Sequence, residues 1–461
     1  MTESSMPFQW HKTTLGAVAL WGSGGTPSRK NPDYYGGNVP WVKTGDLGPK
    51  VLSAASEYIT ELGVQKSSAK YFPKGSVAIA MYGATIGKTS ILGFDATTNQ
   101  ACAVGQPVEG ITDTTFLYYL LRNEKDAFIS KGKGGAQPNI SQALIKEHPI
   151  ALPPLAEQKV IADKLDTLLA QVENTKARLE RVPQILKRFR QSVLAAAVSG
   201  RLTEEWRNGA EFEVESDALS KFVSIDIGHA FKSKEFTDRG ISLLRGQNIE
   251  PGALRWSETK YFPEAKLSEF RHLFINSGDI VLAMDRPIIS SGLKIARAKP
   301  SDLPCVLVQR VARFKDFNDL LPDYLYVLLQ DISFSNYIQP NQTGSDIPHI
   351  SGKQILAYPV EIPSIEEQTE IVRRVNQLFA HADRIEQQVN NGLARVNNLT
   401  QSILTKAFRG ELTEQWRKDN PELISGENSA EALLERIKAE RAAQKPAGRR
   451  TKNRKSEQAA K

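Results

Sequence analysis

At 461 residues the chain is longer than one hydrophobic core normally fills, so two or three domains are expected. Hydrophobic residues at 40% and charged residues at 24% exclude a fibrous or largely unfolded protein, and the longest apolar runs, such as Val193 to Val198, fall far short of the roughly 20 residues a bilayer requires. A net charge of +7, from 59 basic and 52 acidic side chains, leans toward an acidic partner, and two cysteines in apolar surroundings, Cys102 and Cys305, suit a reducing compartment, so a cytoplasmic protein with no membrane partner is expected.

The first segment, residues 1–154, alternates short strand-like runs with helical patches among many glycine and proline turns, which predicts a mixed α/β globule. Ser23-Gly24-Gly25-Thr26-Pro27-Ser28-Arg29-Lys30 gathers amides, hydroxyls and cations suited to positioning a phosphate. Lys43-Thr44-Gly45-Asp46 is a second polar turn. A strand is predicted over Val77 to Met81, and the loop after it, Tyr82-Gly83-Ala84-Thr85-Ile86-Gly87-Lys88-Thr89, looks at first like a nucleotide-binding P-loop. That motif needs four residues between its glycines, and here there are three; the loop is read instead as bringing Tyr82, Thr85 and Lys88 toward a nucleic acid, with a plain tight turn as the alternative. Phe116 to Arg122 reads as a helix and Gln137-Pro138-Asn139 as a polar loop.

From Ile140 to Arg207 the chain aligns without gaps on Ile350 to Arg417, at an offset of 210, with about 20 of the 68 positions identical against the ~6% expected by chance. The matched blocks pair Pro153-x-x-x-Glu157-Gln158 with Pro363-x-x-x-Glu367-Gln368, and Gly200-x-Leu202-Thr203-Glu204-x-Trp206-Arg207 with Gly410-x-Leu412-Thr413-Glu414-x-Trp416-Arg417. Each copy opens like a helix, proline in the first turn and an acid complementing the dipole. Apolar residues then recur in heptads: Ile161, Leu165, Leu168, Val172, Leu179, Val182, Leu186, Phe189 and Val193 in residues 155–207, and Ile371, Val375, Leu378, Ala382, Ile385, Val389, Val396, Leu399 and Ile403 in residues 364–417. Pro183 and Gly392 are the weak points. Two helices with matching seams, each on the order of 50 Å or ~15 base pairs long, are expected to pair antiparallel within the chain, the alternative being helices of two ordinary compact cores. Lys176, Arg178, Arg181, Lys187, Arg188 and Arg190 line the first helix, most simply as a solvated face.

The second globular segment, residues 208–363, echoes the first more weakly. Gly278-x-Ile280-x-Leu282-Ala283-Met284 matches Gly75-x-Val77-x-Ile79-Ala80-Met81, Tyr261-Phe262-Pro263 matches Tyr71-Phe72-Pro73, and Cys305 meets Cys102. Strands are predicted at Ile280 to Met284 and Val306 to Val311, and a helix at Tyr324 to Gln330. Arg245-Gly246-Gln247-Asn248 occupies a place comparable to Lys43-Thr44-Gly45-Asp46, and arginine, glutamine and asparagine can make paired hydrogen bonds to base edges. Thr343-Gly344-Ser345 precedes the second framework block. A basic tail, residues 418–461, holds a short helical stretch from Glu431 to Arg441 and then Lys445 to Lys455, with six cations and no acid; it is expected to be flexible and to touch DNA or a partner subunit.

The six histidines form no spaced pairs with one another or with the cysteines, so no metal site is expected. Glu264-Ala265-Lys266 is only an isolated fragment of a nuclease motif, and Asn31-Pro32-Asp33-Tyr34 lacks the third residue of an adenine methyltransferase element. No catalysis and no cofactor are expected of this chain.

Two variable segments alternating with two duplicated helical ones, the Pro-Leu-x-Glu-Gln helix start and the Gly-x-Leu-Thr-Glu-x-Trp-Arg closures resemble the specificity subunit of type I restriction-modification systems, over essentially the whole length. Ala162-Asp163-Lys164-Leu165-Asp166-Thr167-Leu168-Leu169-Ala170-Gln171-Val172 and Ala394-Arg395-Val396-Asn397-Asn398-Leu399-Thr400-Gln401-Ser402 look most like the enteric type IA group; Gly24-Gly25-Thr26-Pro27-Ser28 and Tyr82 to Lys88 are similar to segments of the family's recognition domains. The resemblance implies an α+β architecture: two globular mixed α/β target recognition domains joined by two long antiparallel coiled-coil helices, with an internal pseudo-twofold repeat. Each domain would read one half of a split site on double-stranded DNA, and the helices would set the gap and dock two modification subunits using S-adenosylmethionine. Two restriction subunits would use ATP and magnesium. The expected DNA contacts are Gly24, Gly25, Thr26, Ser28, Arg29, Lys43, Thr44, Tyr82, Thr85, Lys88, Arg245, Gln247, Asn248, Arg286, Lys294 and Ser345; the expected subunit interface is Leu165, Leu168, Val172, Leu179, Val375, Leu378, Ile385 and Val389. The competing reading is a bivalent scaffold that binds protein or RNA without restriction partners.

Overall fold

The structure, a computed structural model, describes residues 6–132, 139–339 and 348–443. Gln137, Pro138, Thr343, Gly344, Ser345 and Lys445 to Lys455 lie outside the described residues. The chain divides into two compact units, Met1–Arg178 with Gly392–Lys461, and Leu179–Asn391; each combines one globular domain with half of each long helix.

In unit 1 the main strands are β1 (Ala19–Ser23), β2 (Tyr35–Val42), β3 (Val77–Ala80), β4 (Thr89–Leu92), β5 (Ala96–Thr98) and β6 (Cys102–Pro107). One sheet runs β1-β6-β3-β4 and ends on Val51–Leu52; a second runs Tyr58–Ile59, β2, β5, Tyr71–Phe72. All four residues of β3 are buried because its two faces enter different cores, Val77 and Ile79 on one side and Ala78 and Ala80 on the other. The helix Thr114–Asn123 is capped by Asp113, whose carboxylate accepts from the Phe116 amide at 2.8 Å, and it buries six consecutive apolar and aromatic residues.

Unit 2 repeats this plan with β7 (Ser224–Ile227), β8 (Ile241–Leu244), β9 (Ile280–Ala283), β10 (Ile295–Arg297), β11 (Cys305–Leu307) and β12 (Val311–Lys315). One sheet runs β7-β12-β9-β10, and β8 pairs in parallel with β11 as β2 does with β5. The predicted strand Val306 to Val311 is really two, separated by a turn in which Arg310 has φ +64°.

Hydrogen-bond register corrects two of the sequence matches. Tyr261-Phe262 pairs with Ser242 and Ile241 of β8 just as Tyr58-Ile59 pairs with Pro40 and Val39 of β2. The counterpart of Tyr71, which faces Thr97, is Phe274, which faces Val306. A shared Tyr-Phe-Pro string misleads because aromatics are common in strands of any kind. Likewise Cys102 on β6 lies opposite Ala80, the place that Val311 takes opposite Ala283, whereas Cys305 sits on β11. Both thiols are free and buried, and burial pushes each up to about 12.

The two long helices, α1 (Leu155–Val198) and α2 (Ile365–Phe408), are continuous through Pro183 and Gly392. Both stop at a glycine in the left-handed region, Gly200 at φ +71° and Gly410 at φ +78°. In unit 1 the start of α1 (Ile161, Ala162, Leu165, Leu169) shares a core with the end of α2 (Leu404, Ala407, Phe408). In unit 2 the end of α1 (Val193, Leu194, Ala197) shares a core with the start of α2 (Ile371, Val375). The pairing is therefore antiparallel. Most of the heptad seam is buried or half-buried, but Leu399 is 44% exposed and drops out of it. Leu165, Val375 and Val389 are buried within the chain, so they do not form the expected surface for another subunit; Leu168, Val172, Leu179, Leu378 and Ile385 are half-buried.

The Glu-Gln dipeptide at each helix start does more than complement a dipole. Gln158 donates to the Ile111 and Pro153 carbonyls and accepts from the Asp113 amide, holding α1 to its domain; Gln368 does the same with Asp319, Pro363 and Leu321. Glu157, fully buried, accepts from Thr413 at 2.6 Å and Arg417 at 2.5 Å, and Glu367 accepts from Thr203 at 2.6 Å and Arg207 at 2.5 Å. The closure of each repeat thus caps the opening of the other. Beyond α2, the stretch to residue 443 is not a loose tail: the helix Ala430–Ala443 buries Leu433 and Leu434 in the unit 1 core. Among the described residues no helix is long and apolar enough to cross a membrane.

Candidate nucleic-acid interface

In unit 1 the turn after β2 is closed by Asp46, whose carboxylate accepts from the Lys43 amide at 2.9 Å while its own amide donates to the Lys43 carbonyl at 2.9 Å. After β8 the Arg245 amide donates to the Asn248 side-chain oxygen at 3.2 Å, and the Asn248 amide to the Arg245 carbonyl at 2.8 Å. The two polar turns are one turn built twice. Asn248, expected to read a base, is 1% exposed and its side-chain nitrogen donates to the Arg255 carbonyl, so both ends of the amide are spent on the turn. Gln247 stands exposed beside it.

A lysine enters the next strand at matching places. The Ala80 amide donates to the Lys88 carbonyl at 2.9 Å, and the Ala283 amide to the Lys294 carbonyl at 3.0 Å. The loops after β3 and β9 also correspond: Ile140 donates to the Met81 carbonyl and Ile350 to that of Met284, Tyr82 bridges Asn139, and Asp285 bridges His349. One residue on, the backbone turns left-handed in both, at Gly83 (φ +60°) and at Arg286 (φ +44°). Glycine takes that region freely; arginine pays roughly 1–3 kcal/mol for it. Its amide is held by the Pro348 carbonyl at 2.7 Å.

The glycine-rich segment of unit 1 behaves differently from expectation. Gly24 and Gly25 are buried and their amides already donate, to Cys102 and Thr98, while an added Cβ would collide with Thr98 or with Ser68 and Ala69. They serve close backbone packing rather than phosphate. Thr26, bonded to Gln100, and Ser28 are exposed, and Thr44 is half-buried. Arg29 lies 4.2 Å over the Tyr35 ring and forms a forked pair with Glu57, which Lys43 also reaches at 3.0 Å. The Arg29 guanidinium holds the Glu57 carboxyl down to about 2, against partial burial. Thr85 bonds back to the Tyr82 carbonyl, leaving the Tyr82 ring and Lys88 exposed.

In unit 2 the structure gathers Arg245, Gln247, Arg286 and Lys294 around one concavity of about 600 Å³, walled by Phe231, Phe236 and Ile249. Arg255, Gln309 and Arg310 join them; the sequence does not single these out, the last two because Val306 to Val311 reads as an unbroken strand. Arg255 pairs with Glu250 at 2.9 Å and Arg310 lies 3.9 Å from Asp285. Lys294 is 8% exposed, and burial lowers its affinity for a proton, partly offset by Asp285. Burial likewise lowers Arg245, whose Nε has no hydrogen-bond partner.

A polar turn in each unit and, in unit 2, a cationic socket beside it suit recognition of a polyanion. Over residues 7–184 and 223–395 the chain matches a family model described as the type I restriction modification DNA specificity domain. The chain belongs to this family. It is 41% identical over 423 residues to the type I restriction enzyme EcoKI specificity subunit of Escherichia coli strain K12, covering 88% of this chain and 89% of that one. It is 34% identical over 456 residues to the StySPI specificity subunit of Salmonella potsdam, covering 96% and 97%. The crystal structure of the HsdS subunit from Thermoanaerobacter tengcongensis shares the fold, with a TM-score of 0.60 at 19% identity over 89% of this chain and all of that one. As a type I specificity subunit, the chain keeps its turns, closures and helices in both repeats and varies the side chains those turns display.

Proposed function

We propose that each globular domain of this DNA specificity subunit reads one half of a split, asymmetric site on double-stranded DNA, and that the two long helices set the interval between the halves and dock two modification subunits. The observation that carries this reading is the repeated constellation of turn, lysine and loop, present once per unit on the same backbone with different side chains: Lys43, Gly45 and Gly83 in one, Arg245, Gln247 and Arg286 in the other. One frame with two displays is what two different half-sites require. Methyl transfer would come from the modification subunits with S-adenosylmethionine, and cleavage from two restriction subunits with ATP and magnesium; this chain would choose where they act. The test is selection from random duplex pools by the purified chain with its modification subunits. Two short specified blocks separated by a fixed run of unspecified base pairs are expected. Enrichment of one contiguous block, or of none, would contradict the proposal.

A further inference from the structure

Resting on that reading, we infer that Lys88 and Lys294 are equivalent phosphate anchors, one per domain, and that Arg286 and Gln247 are base-reading residues of the second domain. Phosphate contacts fix register and carry no sequence information, so two domains with different targets on a common frame can share them; base contacts must differ. The hydrogen bonds of the two sheets place Lys88 and Lys294 at the same strand entry. Neither lysine has a hydrogen bond or ion pair among the described residues, although Lys294 is only 8% exposed. An ammonium kept at one position in two divergent domains, hydrogen-bonded in neither and desolvated in one, does not hold the fold together; burial of Lys294 is offset only in part by the charge of Asp285, and a desolvated cation without a direct partner is unfavourable. Its partner is external and anionic, and a DNA phosphate supplies that charge.

Gln247 and Arg286 show the opposite pattern. They replace Gly45 and Gly83 of the first domain at the same turn and loop positions. Arg286 occupies left-handed backbone that a glycine fills without strain, which is tolerated where the side chain is needed. Both residues line the concavity above Lys294, where a long planar donor reaches a base edge while the lysine holds the strand.

The test uses the full chain with its modification subunits, the duplex it selects from a random pool, and a scrambled duplex of equal length. Lys88→Met and Lys294→Met are each expected to weaken binding to both duplexes, by roughly threefold to tenfold, to lower the salt-dependence slope by about 1, and to leave base preferences unchanged. Methionine suits the buried site, and thermal unfolding checks that Lys294→Met is folded. Gln247→Gly and Arg286→Gly are expected to relax base preference within one half-site only; glycine fits the left-handed position, so Arg286→Gly folds at least as well as the parent. A lysine variant that alters base preference, or that leaves affinity and slope untouched, overturns the assignment. So does an Arg286→Gly or Gln247→Gly variant that weakens all sequences equally. If the parent chain selects no split site at all, the reading of the domains as half-site readers is what has failed.

Discussion

Residue type alone identified which segments are polar and cationic, but not which of their groups are already used. Gly24, Gly25 and Asn248 have the right chemistry for nucleic acid, yet their amides or side chain are consumed by Thr98, Cys102, Arg245 and Arg255. Only the folded partners reveal this: Thr98 and Cys102 come from distant strands, and Arg245 and Arg255 flank Asn248 within its own turn and the strand pair that follows. Arg29 and Lys43 show a milder form of the same thing, since both pair with Glu57. Because the Glu57 carboxyl titrates at about 2 when folded and at an ordinary 4.5 when free, its pairing stabilises the chain above pH 4.5, and that stability is lost as pH falls toward 2. Glu57→Gln should therefore unfold at lower urea than the parent at pH 7, by no more than about 1 kcal/mol for so exposed a pair, and the gap should close as the solution is acidified. A gap that widens in acid would show that the carboxylate is not stabilised by these cations.

At the scale of elements, local pattern did well and register did poorly. The helices at Phe116 and Tyr324, the strands at Val77 and Ile280 and both heptad seams follow from apolar spacing, and the structure places elements at each. The equivalences of Tyr71 and Cys102 did not follow, because strand register is set by hydrogen bonds between distant segments. The closures are a further case. Glu157, Glu367, Arg207 and Arg417 stood out as repeated residues, but nothing in the sequence says that each glutamate belongs to the arginine of the other repeat. These pairs are almost fully buried, so breaking one leaves an unpaired charge. Arg207→Met should cost about 3–5 kcal/mol in urea unfolding, whereas Arg207→Met with Glu367→Leu should recover most of the loss, since a buried pair exchanged for apolar groups is often near neutral. A single variant that costs under about 1 kcal/mol would deny the closure its structural role.

For the whole molecule, the duplication is plain in the helical blocks and weaker in the globular segments, and the structure shows what the weaker part keeps: the two domains share a strand plan, a polar turn and a strand-entry lysine, while their loops and the side chains displayed on matching turns differ. If recognition resides in those displays, specificity is modular. The most direct measurement is to replace residues 208–363 with a second copy of residues 1–154, assemble the chain with its modification subunits, and sequence the methylated sites. A split site whose two halves carry the same sequence, that of the first domain, is expected. Retention of the parent's second half-site, or methylation at a site that is no longer split, would contradict it.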